Sequence, residues 1–185
     1  MLTKQMLRTE IEELKKNYSE EELKQFSIDI FNQLEQTSSF ANAKYVLAYY
    51  SFPGEVFTHD FIEKHVRNKI IILPVVQRDV LILREFKGIE SMRRSTYGIL
   101  EPTGDEFTDF SKIDLAIVPG MSFDLNLNRL GRGKGYYDKL LSKLDTYLIG
   151  VCFSFQLREE ITIEPHDLPM NCVISQNEII NKTVD

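Results

Sequence analysis

The chain has 185 residues, 43% of them hydrophobic and 27% charged, which suits one domain with a real core. A net charge of −6 argues against a general binder of nucleic acid or anionic membrane. The two cysteines, Cys152 and Cys172, lie in apolar runs without metal spacing or a disulfide framework, so they read as buried thiols in a reducing compartment. No apolar run reaches the length of a membrane span, and the charged, amphipathic N-terminus is no signal peptide; the expectation is a cytoplasmic protein.

From the N-terminus, Leu7, Ile11, Leu14 and Tyr18 recur at helical spacing and predict a helix over 3–17. Lys4 and Arg8 are four apart and share a face, where an anionic partner would relieve their repulsion. Arg8 also stands four before Glu12, so an ordinary solvated face remains open. Ser19 and Glu22 form a capping box that starts a second helix with Leu23, Phe26, Ile30 and Leu34 on one side.

Residues 45–50 read as the first strand. Its carboxyl-end loop, Ser51-Phe-Pro-Gly-Glu55, is where ligands bind in open α/β sheets. By itself Glu55 reads as a turn residue, and Tyr50 suits a pocket wall or the core equally. Thr58 is placed to cap a helix to about 67, in which His59 and His65 read as ordinary helix residues. Strands follow over 69–76, interrupted by Pro74, and over 80–86. Residues 92–100 carry Arg93, Arg94 and Tyr97-Gly98, and 103–112 form an acidic connection. A central strand at 115–118, a helix over 136–144 and a strand over 146–153 come next. Residues 155–160 read as short and helical. Pro165-His166-Asp167-Leu168-Pro169 breaks regular structure, and His166 reads as a turn residue. A last strand over 171–175 precedes a tail expected to fray.

The chemistry concentrates between the central strand and the helix after it. Gly131, Gly133 and Gly135 alternate with Arg132 and Lys134, and Arg129 lies just upstream. Glycine permits positive φ and close approach of a ligand to the main chain. Successive N–H groups in such a loop converge on an anion, and a helix start adds its dipole. The spacing fits neither the P-loop, which needs Ser or Thr after Gly-Lys, nor the Rossmann fingerprint, which needs glycine at Tyr136. A glycine-rich turn with solvated cations competes with a phosphate site. A compact basic cluster in an acidic chain, with Tyr136, Tyr137 and Asp138 at its end, favours phosphate. A single-stranded nucleic-acid contact would want a second basic and aromatic patch, which is lacking.

Asn128-Arg-Leu-Gly-Arg-Gly-Lys-Gly-Tyr-Tyr-Asp138, preceded by Pro119-Gly-Met-Ser-Phe-Asp124, resembles the signature of the 5-formyltetrahydrofolate cyclo-ligase (5,10-methenyltetrahydrofolate synthetase) family. The alternation of strands and helices already argues for an α/β sheet. The resemblance implies a Rossmann-like three-layer fold with helices on both faces, of the sugar-phosphate isomerase and CoA-transferase type. It also implies a single cyclo-ligase domain over 1–185, in which the helical segment 1–36 contributes to the ATP site. The implied protein is a cytoplasmic monomer that uses ATP and Mg²⁺ on 5-formyltetrahydrofolate, with no nucleic-acid or membrane partner.

By the same resemblance Lys4, Arg8, Arg129, Gly131, Arg132, Gly133, Lys134, Gly135 and Tyr137 would meet ATP. Tyr50, Glu55, Arg132, Lys134 and Tyr136 would meet the folate, with Arg132, Lys134 and Tyr136 catalytic. Asp138 and Asp167 would hold the metal. Asn171 stands where many members of the family have aspartate, a departure near the implied metal segment.

Overall fold

A computed structural model of the chain describes residues 3–94, 100–165 and 167–182. Tyr97-Gly98 and His166, singled out above, lie outside the described residues.

Helix α1 spans Lys4–Lys15 and starts on Thr3, whose hydroxyl accepts the Met6 N–H. The Ser19–Glu22 capping box forms as expected at α2, Glu20–Glu35. Helix α3 is Ser38–Asn42, strand β1 Tyr45–Leu47 and helix α4 His59–His65. The strands β2, Ile70–Gln77, and β3, Val80–Phe86, form a hairpin, as do β4, Met92–Arg94, and β5, Leu100–Pro102. Then come β6, Leu115–Pro119, β7, Ser122–Asp124, β8, Arg129–Leu130, and α5, Tyr136–Leu141. The chain finishes with β9, Tyr147–Val151, β10, Leu157–Arg158, β11, Cys172–Ile174, and β12, Ile179–Asn181.

The large sheet runs β12-β11-β9-β6-β1-β2-β3. Its inner strands, from β11 to β2, pair in parallel, and antiparallel β12 and β3 close its edges. Alternate residues feed two cores, as the period-two pleat requires. Val46, Ile71, Leu73, Ile117 and Ile149 face α2, α3 and α4. Leu47, Ile72, Ala116, Val118 and Leu148 face α5 and a small sheet of order β10-β7-β8. A third cluster docks α1, through Leu7 and Ile11, on Met121, Leu130 and Ile161. This is the expected α/β architecture with helices on both faces.

The chain leaves β1 through α4 to β2 on one side, and β6 through α5 to β9 on the other. The order therefore reverses between β1 and β6. Crossovers of one hand on opposite sides of the sheet open a crevice at the carboxyl ends there.

Four expectations need correction. Pro74 does not interrupt β2, which runs through it. Ile72 still bonds Ala48 on the β1 side, but Pro74, two residues on, faces that side beyond the end of β1, where no N–H is required. Thr58 makes no side-chain cap for α4; its hydroxyl donates instead to the Tyr49 carbonyl at 2.6 Å. The short helix expected over 155–160 is a single 3-10 turn, Ser154–Gln156, which gives way to the two-residue strand β10, parallel to β7. The tail does not fray at 176, because Ile179 and Ile180 pair with Ile174 and Val173 as the edge strand β12.

Candidate active site

The loop begins from a buried anchor. Asp124, at the end of β7, has no solvent exposure. One of its carboxylate oxygens accepts the N–H groups of Asn126 and Asn128 at 2.9 and 2.8 Å. The other accepts the Asn128 side-chain amide at 2.9 Å and the Ile161 N–H at 2.8 Å. A buried carboxylate persists only when so satisfied. It fixes the turn that delivers Arg129 and ties it to the 161 segment.

Arg129 points inward. Its side chain is 5% exposed and forms an ion pair with Asp138 at 2.5 Å, and it donates to the Pro119 carbonyl at 3.2 Å. Its guanidinium also lies over the Tyr137 ring, 5.6 Å from the centroid. Tyr137 packs against the core on the α5 side. Burial pushes its hydroxyl pKa up, with the Glu55 charge adding and Arg129 opposing. These two residues belong to the wall under the loop.

Gly133 and Gly135 take φ of 92° and 65°, left-handed conformations that favour glycine. Gly131 serves differently: a Cβ there would stand 2.9 Å from an Arg129 nitrogen. Among the described residues, none accepts a hydrogen bond from the backbone N–H groups of 132–135, so these donors remain for a ligand. Helix α5 is only six residues long, so its dipole adds little. Lys134 is exposed, with its ammonium 5.9 Å from the centroid of half-buried Tyr136.

Arg132 crosses to the β1 loop. Its guanidinium pairs with Glu55 Oε1 at 2.7 Å; its own side chain is 52% exposed, that of Glu55 13%. The other Glu55 oxygen accepts the Phe52 N–H at 2.8 Å. Helix α1 closes the side. Arg8 Nε donates to the Gly131 carbonyl at 2.8 Å. Lys4 pairs with Asp167 at 2.7 Å and with Glu164 at 2.6 Å. Burial works against the Lys4 charge, but the hydrogen bonds and charges of Asp167 and Glu164 outweigh it and raise its pKa.

The cleft itself lies between the carboxyl ends of β1, β6 and β9. Tyr49, Glu55, Gly120, Arg132, Val151 and Gln156 are among its walls. Tyr49 lines it, whereas Tyr50, packed on the same core, stacks on His59 with ring centroids 3.8 Å apart. Gln156 was invisible in the sequence. Its amide nitrogen donates to the Gly120 and Met121 carbonyls at 3.2 and 2.9 Å, and its oxygen accepts the Phe153 N–H at 2.8 Å. Asp124 was inside a quoted motif, yet nothing in the sequence said it would be buried.

Among the described residues no three His, Cys, Asp or Glu side chains gather into a metal cage. Asp138 and Asp167 are each paired with a cation, and only one Asp138 oxygen is used by Arg129. Mg²⁺ takes one or two carboxylates together with substrate phosphates, so either aspartate would have to yield or share its cation to hold it. Asn171 is engaged by the sheet. It exchanges hydrogen bonds with the Leu148 backbone near the start of β9, three residues, or roughly 10 Å, before the Val151 end that lines the cleft.

The fold and cleft define an open α/β protein with a glycine- and arginine-rich loop at its topological switch point. The profile of the 5-formyltetrahydrofolate cyclo-ligase family matches residues 1–176. The chain is 29% identical to a probable 5-formyltetrahydrofolate cyclo-ligase of Schizosaccharomyces pombe, over 83% of this chain and 85% of that one. It is 27% identical to the Mus musculus 5-formyltetrahydrofolate cyclo-ligase, over 94% of each. The solved Aquifex aeolicus 5,10-methenyltetrahydrofolate synthetase superposes with a TM-score of 0.88 at 28% identity, covering 100% of this chain and 97% of that one. This chain belongs to the 5-formyltetrahydrofolate cyclo-ligase family.

Proposed function

We propose that the protein catalyses the ATP- and Mg²⁺-dependent cyclisation of 5-formyltetrahydrofolate to 5,10-methenyltetrahydrofolate, releasing ADP and phosphate. In this reading residues 1–185 act as one cyclo-ligase domain, with α1 as part of its ATP site. The observation that carries the reading is convergence. Arg8 from α1 bonds the glycine loop, and Arg132 from that loop bonds Glu55 after β1 across the cleft, so three segments distant in sequence are joined there.

The N5-formyl group is an amide and a poor electrophile. Transfer of the γ-phosphoryl group to its oxygen makes an iminium phosphate, N10 attacks that carbon, and phosphate leaves, taking up the proton that N10 sheds. The protein's work is positioning and charge stabilisation. Lys134 and Arg132, with the N–H groups of 132–135, hold the triphosphate and the charge in transfer. Arg8 and Lys4 flank the nucleotide. Tyr136 sits beside the formyl group. Glu55 accepts the adjacent ring N–H and amino donors of the pterin, which one carboxylate takes together. Arg132 then leaves Glu55 for phosphate, a move open to an exposed guanidinium. Asp138 and Asp167 hold Mg²⁺, which neutralises phosphate charge when bound. Arg129 and Tyr137 support the loop from beneath.

The test is an absorbance time course with purified protein, 5-formyltetrahydrofolate, Mg²⁺ and ATP, against a control without ATP. Methenyltetrahydrofolate has a conjugated chromophore that the substrate lacks. An ATP-dependent rise supports the assignment; a flat trace from folded protein that still binds ATP overturns it.

A further inference from the structure

Lys15 is the last residue of α1, and its neighbour offers an internal control. Lys15 pairs with Glu12 at 3.1 Å and Lys16 with Glu13 at 2.6 Å, both three residues apart on the helix. Yet the Lys16 side chain is 67% exposed and that of Lys15 only 16%. An i,i+3 pair on a helix surface does not require shielding. Lys15 is shielded because it enters the cleft, which it lines with Glu55 and Arg132.

The β1 loop is shaped to admit it. Gly54 has φ 81°, and a Cβ there would stand 2.9 Å from Lys15 Cδ and 3.1 Å from its Nζ. The ammonium therefore rests against the residue next to Glu55. A pterin presents three groups in a row along one edge: the 2-amino group, N3–H and the C4 carbonyl oxygen. One carboxylate satisfies both donors; the carbonyl then needs a donor beside that carboxylate.

The other polar side chains of the cleft are committed. The Tyr49 hydroxyl donates to the Val56 carbonyl at 2.9 Å. The Gln156 amide is spent on Gly120 and Met121. Arg132 holds Glu55 and, in the proposed reaction, phosphate. The Lys15 ammonium has three N–H donors, and among the described residues its hydrogen bonds go to Glu12 alone.

We propose that Lys15 is a specificity-determining residue of the folate subsite: its ammonium donates to the C4 carbonyl oxygen of the pterin held by Glu55. The proposal rests on the assignment of Glu55 to the pterin. It predicts selection of 4-oxo pteridines over 4-amino pteridines, whose amino group would face a cation.

Folic acid and its 4-amino analogue aminopterin differ at C4 and, with it, in the N3 proton that Glu55 would accept, so the change of their Kd ratio on substitution of Lys15, and not the wild-type ratio itself, tests the idea. Their Kd values are measured by calorimetry without nucleotide at pH 8, for wild type, Lys15→Met, Lys15→Arg and Glu12→Gln. Methionine keeps the stem against Gly54 and removes the charge. Lys15→Met should weaken folic acid about tenfold and aminopterin little, shifting their ratio about tenfold, while the ATP Kd stays unchanged. Lys15→Arg and Glu12→Gln should keep the wild-type ratio, because both retain a donor at the site. Equal losses on both ligands, or no loss on either, overturn the proposal, since packing alone does not sense position 4. Should Lys15→Met fail to fold, Lys15→Leu, which also lacks a donor, replaces it. Absence of folate binding by the wild type removes the Glu55 reading as well, a result separate from a wild type that binds without discrimination.

Discussion

Arg129 and Arg132 sit three residues apart in one loop, and each pairs with one carboxylate, yet they belong to different economies. Arg129 is buried and pairs under the loop with a partly exposed Asp138, while Arg132 is half exposed and reaches across the cleft to a more buried Glu55. Taking a guanidinium out of water is costly, so a buried pair persists only when geometry and further hydrogen bonds compensate. Arg129 has them in Asp138 and the Pro119 carbonyl. An exposed pair gains little and is readily exchanged for a ligand. The same residue type therefore supports the loop at one position and serves substrate at the other.

The comparison breaks most sharply by substitution. Arg132→Ala or Lys134→Ala should cut turnover about 100-fold or more, the scale of a lost transition-state donor, with stability changed by less than about 1 kcal/mol. Wild-type turnover in both variants would remove the loop from the chemistry. Arg129→Met should behave in the opposite way, losing about 2–3 kcal/mol in urea unfolding because Asp138 keeps its charge without a partner. An unfolding midpoint unchanged from wild type would show that the buried pair is as dispensable as the exposed one.

Gly133→Ala tests the backbone between them. It puts alanine at φ 92°, with its Cβ 3.3 Å from the Arg8 guanidinium, and should cost about 1–3 kcal/mol and raise the KM for ATP. Lys4→Met should raise the KM for ATP by about fivefold and lower stability by less than about 1 kcal/mol; an unchanged KM would confine Lys4 to holding Asp167 and Glu164.

The smallest effect is one of pH. Burial pushes the Cys172 thiol from its ordinary 9.0 up to about 11. Between those values the unfolded chain loses a proton that the folded chain keeps. This contribution is thus fully present below pH 9.0 and is lost as the pH rises through about 11. Cys172→Ala should flatten the fall of the unfolding midpoint across that window, and an identical slope in both proteins would exclude the thiol.

Much of the architecture was legible in the order of the elements. Apolar runs at 69–76 and 115–118 and the alternation over 80–86, with helical patterns between strands, required a sheet covered on both sides. Short pieces were not legible. The strands β7, β8 and β10 have two or three residues each, too few to show a period, and β12 was masked by its polar surroundings. Their pairing follows from what lies beside them in space.

The glycine loop and its cations were readable because glycine at alternate positions has few other physical reasons; Glu55 by itself read as a turn residue and stood out only through the family resemblance. By itself the sequence determined which residues are free to take positive φ, which carry charge and which must be buried. Tertiary structure decided which charges survive as ligands. Arg129 and Arg132 are indistinguishable along the chain, since burial is a property of neighbours brought together from distant segments. The same holds for Asp124, which became an anchor through Ile161, and for Asn171, which β9 holds away from the cleft. Lys15 and Lys16 differ only in the direction that one helical step gives each side chain once Leu7 and Ile11 have docked α1.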